Sequence, residues 1–270
     1  VTRLFEVIRL EPPSESETAS LVDQWAAGLE GVEVPPAVRA EAAALARQYL
    51  QAEAPPGGVL RLLKSALSLA RLRDAGPGGA RALTPDDLVE ALAQATGLPL
   101  DILDERCEFD AAAVRRRFEA RVIGQPEAVD CLVERLALLK AGVTDPGRPT
   151  GVFLFVGGSG TGKTMLARTL AEYLFGSPER LVRLDMSEMH GAQALDRLLG
   201  EERGPRPAGN SLVERVRRQP FSVVLLDEFD RAHPDVWDMF LQVFDAGRLT
   251  DRRGETADFR HAIIILTSNL

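Results

Sequence analysis

The sequence contains few cysteines, few lysines and no long apolar run, and each shortage excludes a class of protein. Its two cysteines are too few for a disulfide framework and lack the spacing of a zinc site. We expect both, Cys107 and Cys131, to pack as small apolar residues. No apolar run approaches the ~18 residues that a membrane span needs, and residues 1–3 do not begin a signal peptide. These absences predict a cytoplasmic protein with no membrane partner.

Lysine is scarce: the 270 residues include three lysines and 29 arginines. We therefore expect that a lysine at a motif position serves that motif. Acidic residues number 40 against 32 basic ones, which gives a formal net charge of −8 and argues against a broad nucleic-acid-binding face. The hydrophobic share of 45% is enough to bury the core of one large or two modest domains.

The first hundred residues predict a compact helical unit without catalytic chemistry. Apolar residues recur at helical spacing in 21–29, 38–50 and 59–72, and glycine and proline separate these segments. Thr84 and Pro85 predict the start of a fourth helix, which Gly97 closes. Within this part, only residues 5–10 suggest a short strand.

After about residue 111 the pattern changes to that of a parallel α/β sheet. Short apolar runs alternate with amphipathic helices, which is typical of parallel strands joined by helical crossovers. The runs cover residues 152–156, 181–184, 223–226 and 263–266. A charged helix precedes them, and we expect its run Arg115, Arg116 and Arg117 to form a solvated face. The three histidines are dispersed and are expected to be structural.

A phosphate-binding loop follows the first of these strands. The segment 157–164 fits the pattern G-x-x-x-x-G-K-[ST], with a strand before it and a helix after it. Such a loop directs successive N–H groups at a phosphate, and the helix N-terminus adds partial positive charge. The expected ligand is ATP. The predicted contacts are Gly157, Gly158, Ser159, Gly160, Thr161, Gly162, Lys163, Thr164 and Met165.

Two carboxylates and an amide follow two of the other strands. Asp227 and Glu228 end the run 223–226, which is a Walker B pattern. We expect Asp227, together with the Thr164 hydroxyl, to bind Mg²⁺, and Glu228 to orient or deprotonate the attacking water. Asn269 follows the last strand, where its amide could position that water or contact the γ-phosphate.

At these residues the sequence resembles the Clp family of ring-forming AAA+ ATPases. Val122 and Ile123 resemble the adenine-side motif of the family, and the stretches 227–236, 247–251, 258–260 and 267–269 resemble its second module. The resemblance implies an AAA+ parallel sheet with flanking helices, preceded by a small α-helical domain. It further implies that residues 1–80 are the helical lid of a preceding module, 81–112 a linking segment and 113–270 the large nucleotide-binding domain.

The sequence departs from the family pattern in two places. Residues 72–84 leave no room for the coiled-coil insertion of the disaggregase branch, so insertion-free members are nearer. Family members also carry a pore loop between positions 200 and 212 whose aromatic residue grips polypeptide. This chain has no aromatic residue between Met186 and Pro220. Arg203 and Arg206 stand in that loop, where a solvated role is the simpler expectation.

The resemblance implies a homo-hexameric, ATP-hydrolysing unfoldase or remodelling chaperone that acts on polypeptides, and it allows a protease partner. One alternative is a divergent ring subunit or scaffold that binds ATP without threading substrate, because the aromatic residue is missing. Another is a nucleic-acid motor, against which the acidic balance weighs. We also expect the chain to be a window of a longer protein and, alone, to bind nucleotide weakly and to hydrolyse it poorly.

Overall fold

The structure is a computed structural model, which describes residues 11–50, 54–73, 81–104, 108–141, 145, 147–189, 194–200 and 211–270. The chain divides into two compact units, Val1–Leu103 and Asp104–Leu270. The division lies inside the segment 81–112, and the roles of lid, linking segment and large domain stay predictions. In the described part, no helix has the length and apolarity required to cross a membrane.

The described part of the first unit consists mainly of helices. Three of them overlap the predicted segments 21–29, 38–50 and 59–72, although the first begins six residues earlier, at Glu15, and the short helix after residue 99 was not predicted. The helices are α1 (Glu15–Ala27), α2 (Pro36–Tyr49), α3 (Gly57–Arg73), α4 (Pro85–Thr96) and the short α5 (Leu100–Leu103). The predicted boundaries of α4 are confirmed. Its first turn is capped by Thr84, whose hydroxyl accepts from the Asp87 N–H, and Gly97 ends the helix in the left-handed conformation.

Two very short strands in this unit were not predicted. Strand β1 (Val32–Glu33) pairs in parallel with β2 (Arg81–Ala82). Sequence periodicity misses such elements because two residues cannot display a repeat. The suggested strand at 5–10 lies outside the described residues.

The second unit is built on a four-stranded parallel sheet, as predicted. Its strands are β3 (Gly151–Val156), β4 (Leu181–Asp185), β5 (Val223–Asp227) and β8 (Ile263–Ser268), in the spatial order β3-β8-β5-β4. A separate antiparallel pair is formed by β6 (Arg248–Thr250) and β7 (Thr256–Asp258). Because β8 lies between β3 and β5, all six of its residues are buried.

Helices pack around this sheet. They are α6 (Ala111–Glu119), α7 (Pro126–Lys140), α8 (Lys163–Phe175), α9 (Ala194–Leu199), α10 (Leu212–Arg218) and α11 (Pro234–Ala246). A core beneath the sheet joins strands β5 and β8 to α10 and α11 through Val216, Leu226, Phe240 and Ile264. Burial of these side chains stabilises the packing of the two helices against the sheet.

The prediction that both cysteines pack inside is wrong for Cys131, which is exposed. The buried residues of α7 are Val129, Leu132, Val133 and Leu136, whose spacing defines one helical face, and Cys131 lies outside that face. Cys107 lies outside the described residues.

Candidate functional site

The glycine-rich segment forms a loop between β3 and α8. Gly160 and Gly162 have φ of 81° and 98°, a region that suits glycine, and Gly162 directly precedes the first helical residue, Lys163. Gly162 provides no side-chain cap for α8. The first-turn N–H groups of a helix have no intrahelical acceptor, so this 13-residue helix begins with donors suited to an anion.

The Lys163 ammonium group lies against the loop and links it to the end of β8. Its Nζ donates to the carbonyl oxygens of Gly157 and Gly158, the latter at 2.9 Å. The same Nζ donates to Oδ1 of Asn269, also at 2.9 Å. The Gly157 N–H in turn donates to the Ser268 carbonyl at 3.2 Å. The loop is therefore attached to β8 through both backbone and side chain.

Asn269 connects Lys163 to the carboxylate that follows β5. Its Nδ2 donates to Oε1 of Glu228 at 2.8 Å, while its Oδ1 accepts from Lys163. These two bonds use both ends of one amide and settle its orientation. A continuous chain of hydrogen bonds thus runs from the lysine of the loop to Glu228.

Asp227 is held through both of its carboxylate oxygens. Oδ1 accepts from the Thr267 hydroxyl at 2.6 Å, and Oδ2 pairs with Nη2 of Arg183 at 2.5 Å. The Asp227 side chain is 13% exposed, so it lies at the edge of the buried sheet. Its orientation is fixed before any ligand arrives.

Glu228 has an unusual backbone. Its φ of 54° and ψ of 46° are left-handed, and it is the one non-glycine residue with positive φ in the part of the chain that the structure describes. Such a conformation costs about 1 kcal/mol or more. Its second carboxylate oxygen, Oε2, pairs with Arg231 at 2.9 Å. The arrangement turns the carboxylate toward Asn269 at the cost of local strain.

A third carboxylate, Asp185, lies beside Asp227 at the end of β4. The two residues are paired in the register of β4 and β5. A hydrogen bond from the Ser187 hydroxyl holds the pKa of Asp185 below its ordinary value, and the nearby charges of Arg183 and Arg231 act in the same direction. Arg183 and Arg231 therefore offset part of the negative charge of the carboxylates at this edge of the sheet.

The residues predicted for the adenine side lie on the approach to α7. Val122 is buried, and a Cβ added to Gly162 would lie 3.7 Å from Cγ1 of Val122, so this segment packs directly behind the loop. Gln125 donates to the Thr161 carbonyl at 3.2 Å. Ile123 is 87% exposed and Met165 is 48% exposed, which leaves both apolar side chains open to a ligand.

The donor set fits a phosphate ester with Mg²⁺. In the described ranges, no group of three or more His, Cys, Asp or Glu side chains is arranged to hold a metal alone. Thr164 and Asp227 offer hard oxygen ligands, which suit Mg²⁺ when phosphate oxygens and water complete the coordination. Lys163 and the uncapped start of α8 offer the positive charge that the phosphates require.

Sequence reasoning missed four side chains around Asp227 and Glu228. Arg183 and Asp185 were not considered, and Arg231 and Thr267 were noted only as parts of the stretches 227–236 and 267–269. The sequence did contain a signal for Thr267, because this polar residue directly follows the apolar run 263–266. For the arginines the signal is only a nearby acidic residue, since Arg183 precedes Asp185 by two positions and Arg231 follows Glu228 by three.

The structure also tests the expectations for the arginine run 115–117 and for the histidines. Arg115 and Arg117 are partly exposed; Arg115 pairs with Asp130, and Arg117 lies over the ring of Tyr173, so the arginine run is a surface face. His233 caps the N-terminus of α11, and the ring of His261 contacts the ring of Phe221 at a centroid distance of 4.7 Å, which fits structural roles. His190 and the loop 201–210 lie outside the described residues.

A parallel sheet, a phosphate-type loop between its first strand and a helix, and two carboxylates that follow a neighbouring strand define the class. The second unit is a P-loop nucleotide-binding module of the α/β type. The family model that describes the AAA domain (Cdc48 subfamily) matches residues 148–270.

Similar proteins narrow this class to one family. The chain is 48% identical over 188 residues to the chaperone protein ClpB of Nitratidesulfovibrio vulgaris and 43% identical over 200 residues to the Clp protease ATP-binding subunit ClpC of Staphylococcus aureus. These matches cover 69% and 73% of this chain but 22% and 24% of the relatives.

Solved structures of Hsp104 give the same result for the fold. A closed state of Hsp104 with ATPγS and FITC-casein matches with a TM-score of 0.84 and 32% identity over 99% of this chain and 47% of that one. The Saccharomyces cerevisiae Hsp104–ADP complex matches over 100% of this chain and 47% of that one, with a TM-score of 0.78 and 32% identity. The chain belongs to the Clp family of AAA+ ATPases, and it spans less than half the length of these relatives.

Proposed function

We propose that the second unit binds ATP with Mg²⁺ and hydrolyses it. The observation that carries this proposal is the hydrogen-bond chain from Lys163 through Asn269 to Glu228. It joins the group suited to the γ-phosphate with the group suited to the attacking water, and it needs no further residue between them.

The site residues then take the following roles. The N–H groups of 157–165 hold the phosphates, and Lys163 leaves the loop carbonyls to pair with the β- and γ-phosphates. Thr164 and Asp227 hold Mg²⁺, which, when bound, neutralises the charge that develops on the phosphate oxygens. Val122, Ile123 and Met165 contact the adenine.

Glu228 is the proposed general base, and Asn269 fixes its position. The carboxylate accepts a proton from the water while that water attacks the γ-phosphorus, and the bond from phosphorus to the bridging oxygen breaks. Asn269 donates to Oε1 of Glu228 and accepts from Lys163, so it links the position of the base to that of the phosphate ligand. Removal of the carboxylate should leave nucleotide binding intact and stop turnover.

We further propose that the chain is part of a homo-hexameric ring that remodels polypeptides. The ClpB and ClpC relatives and the Hsp104 complexes with casein support this role. A neighbouring subunit in such a ring can supply the arginine that stabilises the transition state. Residues 1–80 are then the lid of a preceding module, and 81–112 are the segment that links it to the large domain. The protein acts in the cytoplasm, with a protease as one partner class.

The test is ATP-dependent loss of fluorescence from a folded, degron-tagged reporter, with the complete protein and its Glu228→Gln variant. Loss of signal with the wild type alone supports threading of polypeptide. Turnover of ATP without loss of signal, repeated on several tagged substrates, contradicts threading and points to a ring subunit that acts without it. Equal turnover by the wild type and Glu228→Gln contradicts hydrolysis at this site.

A further inference from the structure

Thr267 places one buried hydroxyl group between the two carboxylate residues of the site. Thr267 is 1% exposed and lies in β8, the strand between β3 and β5. Its Oγ1 donates to Oδ1 of Asp227 at 2.6 Å and accepts from the N–H of Glu228 at 2.9 Å. A hydroxyl has one proton and two lone pairs, so donation to the carboxylate leaves it an acceptor for the amide.

The two hydrogen bonds act on different parts of the neighbouring strand end. The first fixes the side chain of Asp227, whose other oxygen is held by Arg183. The second fixes the backbone of Glu228, which has the unfavourable left-handed conformation. A backbone N–H that loses its acceptor inside a protein is destabilising, so the hydroxyl group helps to hold Glu228 in its left-handed conformation.

We propose that Thr267 is a positioning residue that sets Asp227 toward the metal and Glu228 toward the water. It contacts neither nucleotide nor metal, and it acts through these two residues. This inference rests on the proposed function, because a positioning role requires a Mg²⁺-nucleotide site to position. Groups that orient metal ligands from behind typically change metal affinity or activity by about 10–100-fold.

The role of the hydroxyl can be separated from the role of the side-chain volume. Thr267→Val keeps the shape and removes both hydrogen bonds, whereas Thr267→Ser keeps the hydroxyl and removes one methyl group. Thr96→Val is a matched control, since the Thr96 hydroxyl is buried in the first unit, donates to the Leu92 carbonyl and accepts from the Leu98 N–H.

The experiment is titration of the complete protein with a fluorescent ADP analogue, once with Mg²⁺ and once with EDTA. Binding by the Lys163→Ala variant is subtracted, so that the signal reports the site at this P-loop. We expect Thr267→Val to lower the ratio of the two affinities about tenfold while the affinity in EDTA stays within twofold of the wild type. Thr267→Ser should recover most of the ratio, and Thr96→Val should not change it.

A double variant distinguishes an effect that acts through Asp227 from a general loss of folding. Thr267→Val combined with Asp227→Asn should bind no more weakly than Asp227→Asn alone, because the hydroxyl acts through that carboxylate. Additive effects, an unchanged ratio in Thr267→Val, or a Thr267→Ser variant as weak as Thr267→Val would each overturn the inference and leave the proposed function standing. A wild-type protein that binds no more nucleotide than Lys163→Ala, at concentrations up to the millimolar range, would overturn both.

Discussion

Removal of the Asn269 side chain tests the link between the two halves of the site. Asn269→Ala deletes the amide that accepts from Lys163 at 2.9 Å and donates to Glu228 at 2.8 Å. A hydrogen bond to a charged group contributes about 1.5–3 kcal/mol when buried. Because Asn269 is exposed, we take about 2 kcal/mol for the two bonds together, which corresponds to a roughly 30-fold lower kcat.

The assay is steady-state ATP turnover by the complete protein, corrected for the turnover of Lys163→Ala, which reports hydrolysis at other sites. The loss should appear in kcat rather than in KM, because Asn269 positions Glu228. Asn269→Asp should lose at least as much, since it keeps an acceptor for Lys163 but places a negative charge beside Glu228. Gln24→Ala, which removes an exposed amide from α1, is the control and should match the wild type.

Two results would refute this reasoning. If Asn269→Ala keeps more than about a third of the wild-type kcat, the hydrogen-bond chain does not carry the proposed hydrolysis. If Asn269→Asp is as active as the wild type, the donor to Glu228 is not needed, and the amide serves only Lys163.

Three further predictions concern binding, stability and pH. Lys163→Ala should weaken binding of the ADP analogue by about tenfold or more, and Lys140→Ala should not; equal affinities would contradict the assigned loop. Phe240→Ala should lower the free energy of unfolding in urea by about 3–5 kcal/mol, because Phe240 is fully buried; a fall below about 1 kcal/mol would contradict its core position. Burial holds the pKa of His261 below 6.5, so this group contributes stability above that pH and loses it as the pH falls. His261→Phe should therefore flatten the decrease in unfolding free energy below about pH 6.5, and an unchanged slope would contradict the assignment.

The main elements of the second unit could be predicted because each produced a strong local signal. The buried strands appear as apolar runs, and the loop 157–164 combines glycines, a rare lysine and a following helix. These signals are local because burial of a whole strand and binding of a phosphate both constrain consecutive residues. The prediction placed the P-loop helix from Met165, and the structure starts it two residues earlier at Lys163.

The cluster around the carboxylates could not be derived in the same way. Arg183 reaches Asp227 only because β4 and β5 are neighbours in register, which no sequence pattern states. Thr267 meets Asp227 across 40 positions of sequence. The sequence also failed to predict the short strands β1 and β2 and the exposed position of Cys131. The reason is related, because these features depend on packing between distant segments rather than on local composition.

The strand order also has a consequence for the time at which this module can fold during synthesis. Lys163 and Asn269 are 106 positions apart, so at about 5–20 residues per second the ribosome needs roughly 5–20 s to make the second after the first. Of the four strands, β8 is made last, and it belongs between β3 and β5. From the completion of β5 until β8 is made, the edges of β3 and β5 that will pair with β8 stay unpaired and open to aggregation.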